Sequence, residues 1–184
     1  IDSMRRESMT AEGHPQTDRV AELRAAFDRS FAEAPSREVA ALEDLLDIRV
    51  GTTPYALRVA EMSGLFADVK ITPMPTRIPG LVGISGLRGS LLPVYDLRAM
   101  LGHTMDTNAR WLAIAASVPL GLLFDRFEGH VRVRRDAIVP QGSGDVRHVR
   151  EVVQLNGIVR PIVSIVSILE TVTSLVQAGA SEKE

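Results

Sequence analysis

Gly80-Leu81-Val82-Gly83-Ile84-Ser85-Gly86-Leu87-Arg88-Gly89-Ser90-Leu91-Leu92-Pro93-Val94-Tyr95-Asp96-Leu97-Arg98-Ala99-Met100-Leu101 is the stretch whose reading decides the fold. Its four glycines recur at every third position. Glycine lacks Cβ, so such a run supplies positive φ, a β-bulge or a close backbone approach. It does not follow the pattern of a phosphate cradle: there is no Gly-x-Gly-x-x-Gly and no closing Gly-Lys-Ser/Thr. After the glycines, Ser90 to Tyr95 is short and apolar enough for a buried strand, and Asp96 is placed to cap a short helix over Leu97 to Leu101. The order predicted is turn, strand, capped helix.

A second copy of this order lies downstream. Gly89, Pro93, Asp96 and Leu101 are answered by Gly157, Pro161, Ser164 and Leu169, each sixty-eight residues on. Upstream, Ala56, Leu57, Val59, Met62 and Gly64 are answered by Gly121, Leu122, Phe124, Phe127 and Gly129 at an offset of sixty-five. Residues 45–101 and 111–169 therefore read as two similar all-β units, each ending in a capped helix. A unit of about 60 residues buries only about 60% of its unfolded surface, so the two are expected to share an apolar interface. Replacement of Asp96 by Ser164 fits a cap at both positions, because both residues cap helices and only one is a base.

Around this pair the chain reads in order. Residues 1–16 are polar and are expected to be a disordered tail. An N-terminal helical extension over 17–40 is expected, with Val20, Leu23, Phe27 and Phe31 forming its apolar stripe up to Pro35. Ser36 to Glu43 is read as a further helical turn. The main domain is placed at 41–178. Leu46, Ile48 and Val50 alternate with Asp47 and Arg49 as on a half-buried strand, and Gly51-Thr52-Thr53-Pro54 turns into a return strand through Tyr55, Leu57 and Val59. Val69 and Ile71 suggest another strand before Pro73, Pro75 and Pro79. Trp111 to Ala116, Leu120 to Phe124, and Val131 with Val133 follow as strands. Asn156-Gly157 marks a tight hairpin, and Ser164 opens a last helix through Val176 before a frayed tail at 179–184.

Composition narrows the function classes. A net charge of −2 and scattered basic residues give no electrostatic footprint for nucleic acid, and aromatics at 4% leave few stacking platforms. The absence of cysteine removes disulfides, thiolate chemistry and cysteine zinc sites. The longest apolar run, Leu112 to Phe124, is broken by Ser117 and Pro119 and is short of the roughly 20 residues of a membrane span, so no membrane insertion and a cytoplasmic location are expected.

No catalytic constellation is concentrated anywhere. His14, His103, His130 and His148 are far apart and show no ligand spacing, so no metal site and no cofactor are expected. Gly83-Ile84-Ser85-Gly86-Leu87 misses the nucleophile elbow at its fifth position, and Asp125 and Glu128 read as solvated turn charges. A binding module is favoured over an enzyme; a small-ligand-binding or catalytic β-barrel is the alternative from another class.

Gly83-x-x-x-Leu87-Arg88-Gly89-x-x-x-Pro93-Val94-x-Asp96-Leu97-Arg98 resembles the central motif of the CheW-like chemotaxis coupling proteins. Tyr55-Ala56-Leu57, Gly121 to Asp125 and Asn156 to Leu169 resemble further elements of that family, so the likeness covers roughly 45–172. It implies a mainly β fold: two intertwined or side-by-side five-stranded SH3-like β-barrels with short capping helices. It implies a non-enzymatic adaptor that joins the cytoplasmic domain of a chemoreceptor to the regulatory domain of a CheA-type histidine kinase. By the same resemblance Gly83, Gly86, Leu87 and Arg88, with Met62 and Leu65, fall on partner-binding positions, whereas Gly89, Pro93, Asp96, Gly157, Pro161 and Ser164 are structural. Two departures stand out: Gly86 replaces the family's usual asparagine, and Gly64 aligns with a position that is often acidic. The resemblance also leaves room for a divergent adaptor that binds receptor without activating a kinase, or whose N-terminal helix recruits another partner.

Overall fold

The computed structural model describes residues 41–104, 109–142 and 146–181, with side chains through residue 178. The chain divides into Ile1–Val39 and Ala40–Glu184, and the described residues belong to the second unit. The readings of a tail at 1–16 and a helix over 17–40 lie outside the described residues.

Among these residues the structure is mainly β. The first half of the chain forms β1 (Leu42–Val50), β2 (Thr53–Arg58), β3 (Met62–Ala67), β4 (Thr72–Pro73), β5 (Leu81–Leu87), β6 (Ser90–Asp96) and the short helix α1 (Leu97–Met100). The second half forms β7 (Trp111–Ala115), β8 (Gly121–Phe124), β9 (Arg126–Arg134), β10 (Ile138–Pro140), β11 (Val149–Leu155), β12 (Ile158–Val163) and α2 (Ile165–Ser181). β1 starts at Leu42, so strand replaces the helical turn expected up to Glu43. α2 runs past Val176 into the stretch read as tail.

The strands make two six-stranded sheets, ordered β10-β11-β12-β2-β1-β9 and β3-β7-β8-β6-β5-β4. We call them the first and second sheets. Of the two arrangements left open by the sequence, the strands are intertwined: β1 and β2 join four strands from the second half, and β7 and β8 join four from the first. Each sheet has six strands rather than five, because the two short edge strands β4 and β10 complete them.

The exchange is two-fold in its detail. β6 runs parallel to β8 with Val94 opposite Gly121, and β12 runs parallel to β2 with Ile162 opposite Ala56. Bulges recur at matching places, between Leu81 and Gly83 in β5 and between Val149 and Glu151 in β11. Both hairpin tips take paired positive φ, 49° and 81° at Arg88 and Gly89, 51° and 79° at Asn156 and Gly157. That pairing gives a turn whose twist matches the flanking strands. The Asp96 carboxylate accepts from the Arg98 N–H at 2.8 Å, and the Ser164 hydroxyl accepts from the Ser167 N–H at 3.2 Å. Such caps contribute about 1 kcal/mol each.

Burial follows from this exchange. Leu46, Ile48, Val50, Tyr55 and Leu57 join Tyr95, Leu97, Leu122, Phe124, Ile165 and Ile168 in one large central cluster. Each sheet also has a small cluster of its own: Leu45, Ala56, Val153, Leu155 and Ile162 in the first, and Leu92, Val94 and Leu112 in the second. β1 therefore buries both faces, and Asp47, expected on a polar face, is buried. The charge survives there because Arg160 donates to it at 2.7 and 3.1 Å.

Candidate interaction surface

The β5–β6 tip borders a groove of about 330 Å³ in the second sheet. Phe66 of β3, Leu87 and Arg88 of the tip, Leu92 of β6, and Ile114 and Ala115 of β7 line it, and the loop Ala116 to Pro119 closes one side. The loop is tied down by backbone bonds: the Ala116 N–H donates to the Glu61 carbonyl at 2.9 Å and the Leu120 N–H to that of Val118 at 2.8 Å. Arg88 is exposed, and its guanidinium carbon stands 5.3 Å from the centroid of the Phe66 ring. At that distance the ring face attracts the cation. Val118, 42% exposed, adds apolar surface to the groove. An apolar floor with one cation at its rim is suited to a partner that offers an apolar anchor beside an acceptor or carboxylate.

The residues singled out in the sequence do not all converge here. Leu87 and Arg88 line the groove. Gly86 is exposed on β5, where an added Cβ would meet only the Leu91 side chain at 3.8 Å. Gly83 is buried instead: a Cβ there would lie 2.2 Å from the Thr72 carbonyl oxygen, so its place in the fold is the close approach of β4. Met62 and Leu65 are half-buried against the central cluster. Among the structural positions, Gly89 and Gly157 hold the two turns, Asp96 and Ser164 cap the two helices, and Pro93 and Pro161 sit in β6 and β12.

Phe66 was not singled out by the sequence reading. It lies on β3, which runs where no strand was expected, while Val69 and Ile71 lie between strands and pack on the second sheet's own cluster. The repeat offset of sixty-five carried the missing signal, since it maps Phe66 onto Val131, whose strand was recognised. Gly64 has a matching part in the site, for a Cβ there would lie 2.7 Å from the Phe66 ring.

Asp125 is not a solvated turn charge, and Glu128, though exposed, lies on β9 rather than in a turn and is paired. Asp125 accepts from the Gly51 N–H at 2.6 Å and pairs with Arg98 at 2.7 Å, and Glu128 pairs with Arg49 at 2.7 Å. The Arg49 guanidinium holds the Glu128 carboxyl below its ordinary value. Burial pushes the Asp96 carboxyl up and the His148 imidazole down. Among the described residues, no three His, Cys, Asp or Glu side chains form a metal-binding group, and no helix is long and apolar enough to cross a membrane.

Comparison with known proteins agrees with this architecture. Residues 44–173 match the family model of the CheW-like domain. The chain is 30% identical over 101 residues to a probable chemotaxis protein CheW of Rhizobium etli, covering 53% of this chain and 65% of that protein. It is 30% identical over 86 residues to the chemotaxis protein CheW of Rhizobium meliloti, covering 45% and 56%. The matched stretches thus span less than two thirds of either relative. The structure resembles that of the scaffolding protein TtCheW from Thermoanaerobacter tengcongensis with a TM-score of 0.62 at 20% identity, covering 68% of this chain and 90% of that one. The family consists of adaptors rather than enzymes, and the match takes in both sheets from Asp44 in β1 into α2. This chain belongs to the CheW-like domain family.

Proposed function

We propose that this chain is a non-enzymatic chemosensory adaptor, acting in the cytoplasm, that couples the cytoplasmic domain of a chemoreceptor to the regulatory domain of a CheA-type histidine kinase. The observation that carries the reading is the groove beside the β5–β6 tip, where an apolar floor, an exposed Val118 and the Arg88 cation stand together. The counterpart of Arg88 in the other half is Asn156, and both residues sit at positive φ, so the turn itself does not require an arginine. Leu87 and Arg88 serve as partner contacts. Gly86 leaves the strand edge beside them open. Met62 and Leu65 act from below by supporting β3. The unit that does this work is 41–178.

Co-purification with a receptor cytoplasmic fragment and a histidine kinase tests the proposal, using wild type beside Arg88→Ala. Capture of the receptor fragment is expected for wild type and a loss of at least about tenfold for the variant, the size of one charge-assisted contact. Capture of neither partner by the wild type would overturn the adaptor reading; capture of the receptor alone would support the divergent adaptor.

A further inference from the structure

A second concavity, independent of the groove, lies where the β1–β2 turn, α1 and the β8–β9 junction meet. It has a volume of about 800 Å³, within the ~300–1,000 Å³ range of small-molecule sites. Four arginines line it, Arg49, Arg98, Arg110 and Arg126, together with hydroxyls of Thr52, Thr53 and Thr104.

We propose that this cleft binds a small phosphate-bearing molecule. Among the described residues Asp125 is the one carboxylate in the lining, and both its oxygens are engaged, one by the Gly51 N–H and the other by Arg98. The partners of Arg49 and Arg110, Glu128 and Asp68, stand outside the lining. Those two pairs are solvent-exposed at their arginine ends, 37% and 67%, and exposed pairs hold by only about 0–1 kcal/mol. Exchanging them for a ligand therefore costs little. The Arg126 side chain makes neither a hydrogen bond nor an ion pair with any described residue. What the cleft offers a ligand is a set of guanidinium and hydroxyl donors, and guanidinium forks match phosphate oxygens two at a time.

The two-fold repeat shows that the fold does not require this charge. Arg49 is paired with Arg126 across β1 and β9, and in the other half the corresponding residues are Ala116 and Glu61, joined by the Ala116 N–H to Glu61 carbonyl bond. Arg98 corresponds to Val166 at the offset of sixty-eight, and Arg110 to Glu43 at the offset of sixty-seven that the ladders set between β1 and β7, where Asp47 lies opposite Ala56 as Ile114 lies opposite Gly121. None of these four counterparts is an arginine, and the two acidic ones, Glu43 and Glu61, pair with Arg58. Gathering four cations in one cleft raises the local potential and the encounter rate for anions.

The test titrates the full chain with pyrophosphate and inorganic phosphate at constant ionic strength, by calorimetry and by amide chemical shifts, with citrate and chloride as controls. Saturable binding of pyrophosphate is expected, with shifts concentrated at Gly51, Thr52, Thr53 and Arg126. Arg126→Gln should weaken it about tenfold, the loss of one charge-assisted contact, and Arg110→Gln less. Both side chains are exposed, so unchanged melting curves should accompany the weakened binding. Absence of saturable binding, binding indifferent to both variants, shifts centred elsewhere, or an equal response to citrate would each overturn the proposal.

Discussion

The two sheets share one strand order and one set of bulges, yet at one corresponding position they differ completely. In the second sheet Leu92 and Ile114 form the floor of an apolar groove. The first sheet has Arg160 sixty-eight residues after Leu92, and Asp47, opposite Ala56 as Ile114 is opposite Gly121, in the place of Ile114; Glu128 lies 4.0 Å from Arg160 while also holding Arg49. An ionic chain thus stands where the other sheet has a groove. A second substitution runs the same way: Leu123 corresponds to Arg58, which pairs with Glu43 and donates to Glu151 at 2.5 Å. Burial alone would lower the Arg58 guanidinium's pKa, but these carboxylates outweigh it and the net shift is upward. Topology therefore does not allot the binding surface. A few side chains do, by making one face apolar and closing the other with charge.

The largest expected effect tests that closure. Arg160→Ala leaves the Asp47 carboxylate buried without its partner and should cost about 3–5 kcal/mol by chemical denaturation. The double variant Asp47→Ile/Arg160→Leu copies the second sheet. It should be neutral or stabilising, since the buried Arg160 Nη1 has no hydrogen-bond partner among the described residues. A silent single variant would break the comparison.

Next in size is Gly83→Ala, which drives a methyl against the Thr72 backbone and should cost about 1–3 kcal/mol. Its counterpart Glu151 carries a full side chain opposite Pro140, so the constraint belongs to the second sheet alone. Gly86→Ala, on the same strand with open space around it, is the control and should change stability little.

Arg88→Asn makes the first tip resemble the second. Because Arg88 holds φ at 49°, asparagine should keep the turn, and the change in stability should stay within about 1 kcal/mol as the lost ring contact offsets the relieved backbone. Receptor capture should still fall, separating the turn from the contact. Equal capture would show that the cation is not used.

The smallest effects are in pH dependence, and they have opposite signs. His148 corresponds to Gly80, and the carbonyls of both accept from a cap residue's N–H at 2.8 Å. Desolvation depresses the folded His148 pKa below the ordinary 6.5, so the folded state binds fewer protons and stability falls as pH drops from 6.5 toward the depressed value. Asp96 is raised by burial above 3.8, so the folded state binds more protons and stability falls as pH rises from 3.8 toward the raised value. His148→Gly and Asp96→Ser copy the opposite half. Each should flatten its own window in denaturation series run across pH.

Much of this is legible in the sequence. Turns, caps and the hairpin at Asn156-Gly157 depend on a few adjacent residues, whose φ and hydrogen-bond preferences act locally. β3 was not legible because a bulge between Met62 and Gly64 breaks the period-two pattern that marks a strand. Asp47 was placed on a solvent face because alternation reports which residues share a side, and β1 turns out to be covered on both.

The sequence by itself determined the repeat, the turns and caps within each copy, and the arginine that one turn carries and the other lacks. Only the tertiary structure decided that β1 and β2 join the far half's sheet, that Arg160 finds Asp47 across 113 positions, and that Phe66 comes beneath Arg88. Such pairings follow from which apolar faces and charges can be buried together. Two similar halves present nearly equivalent strands to each other, so local pattern alone cannot choose between pairing within a half and pairing across halves.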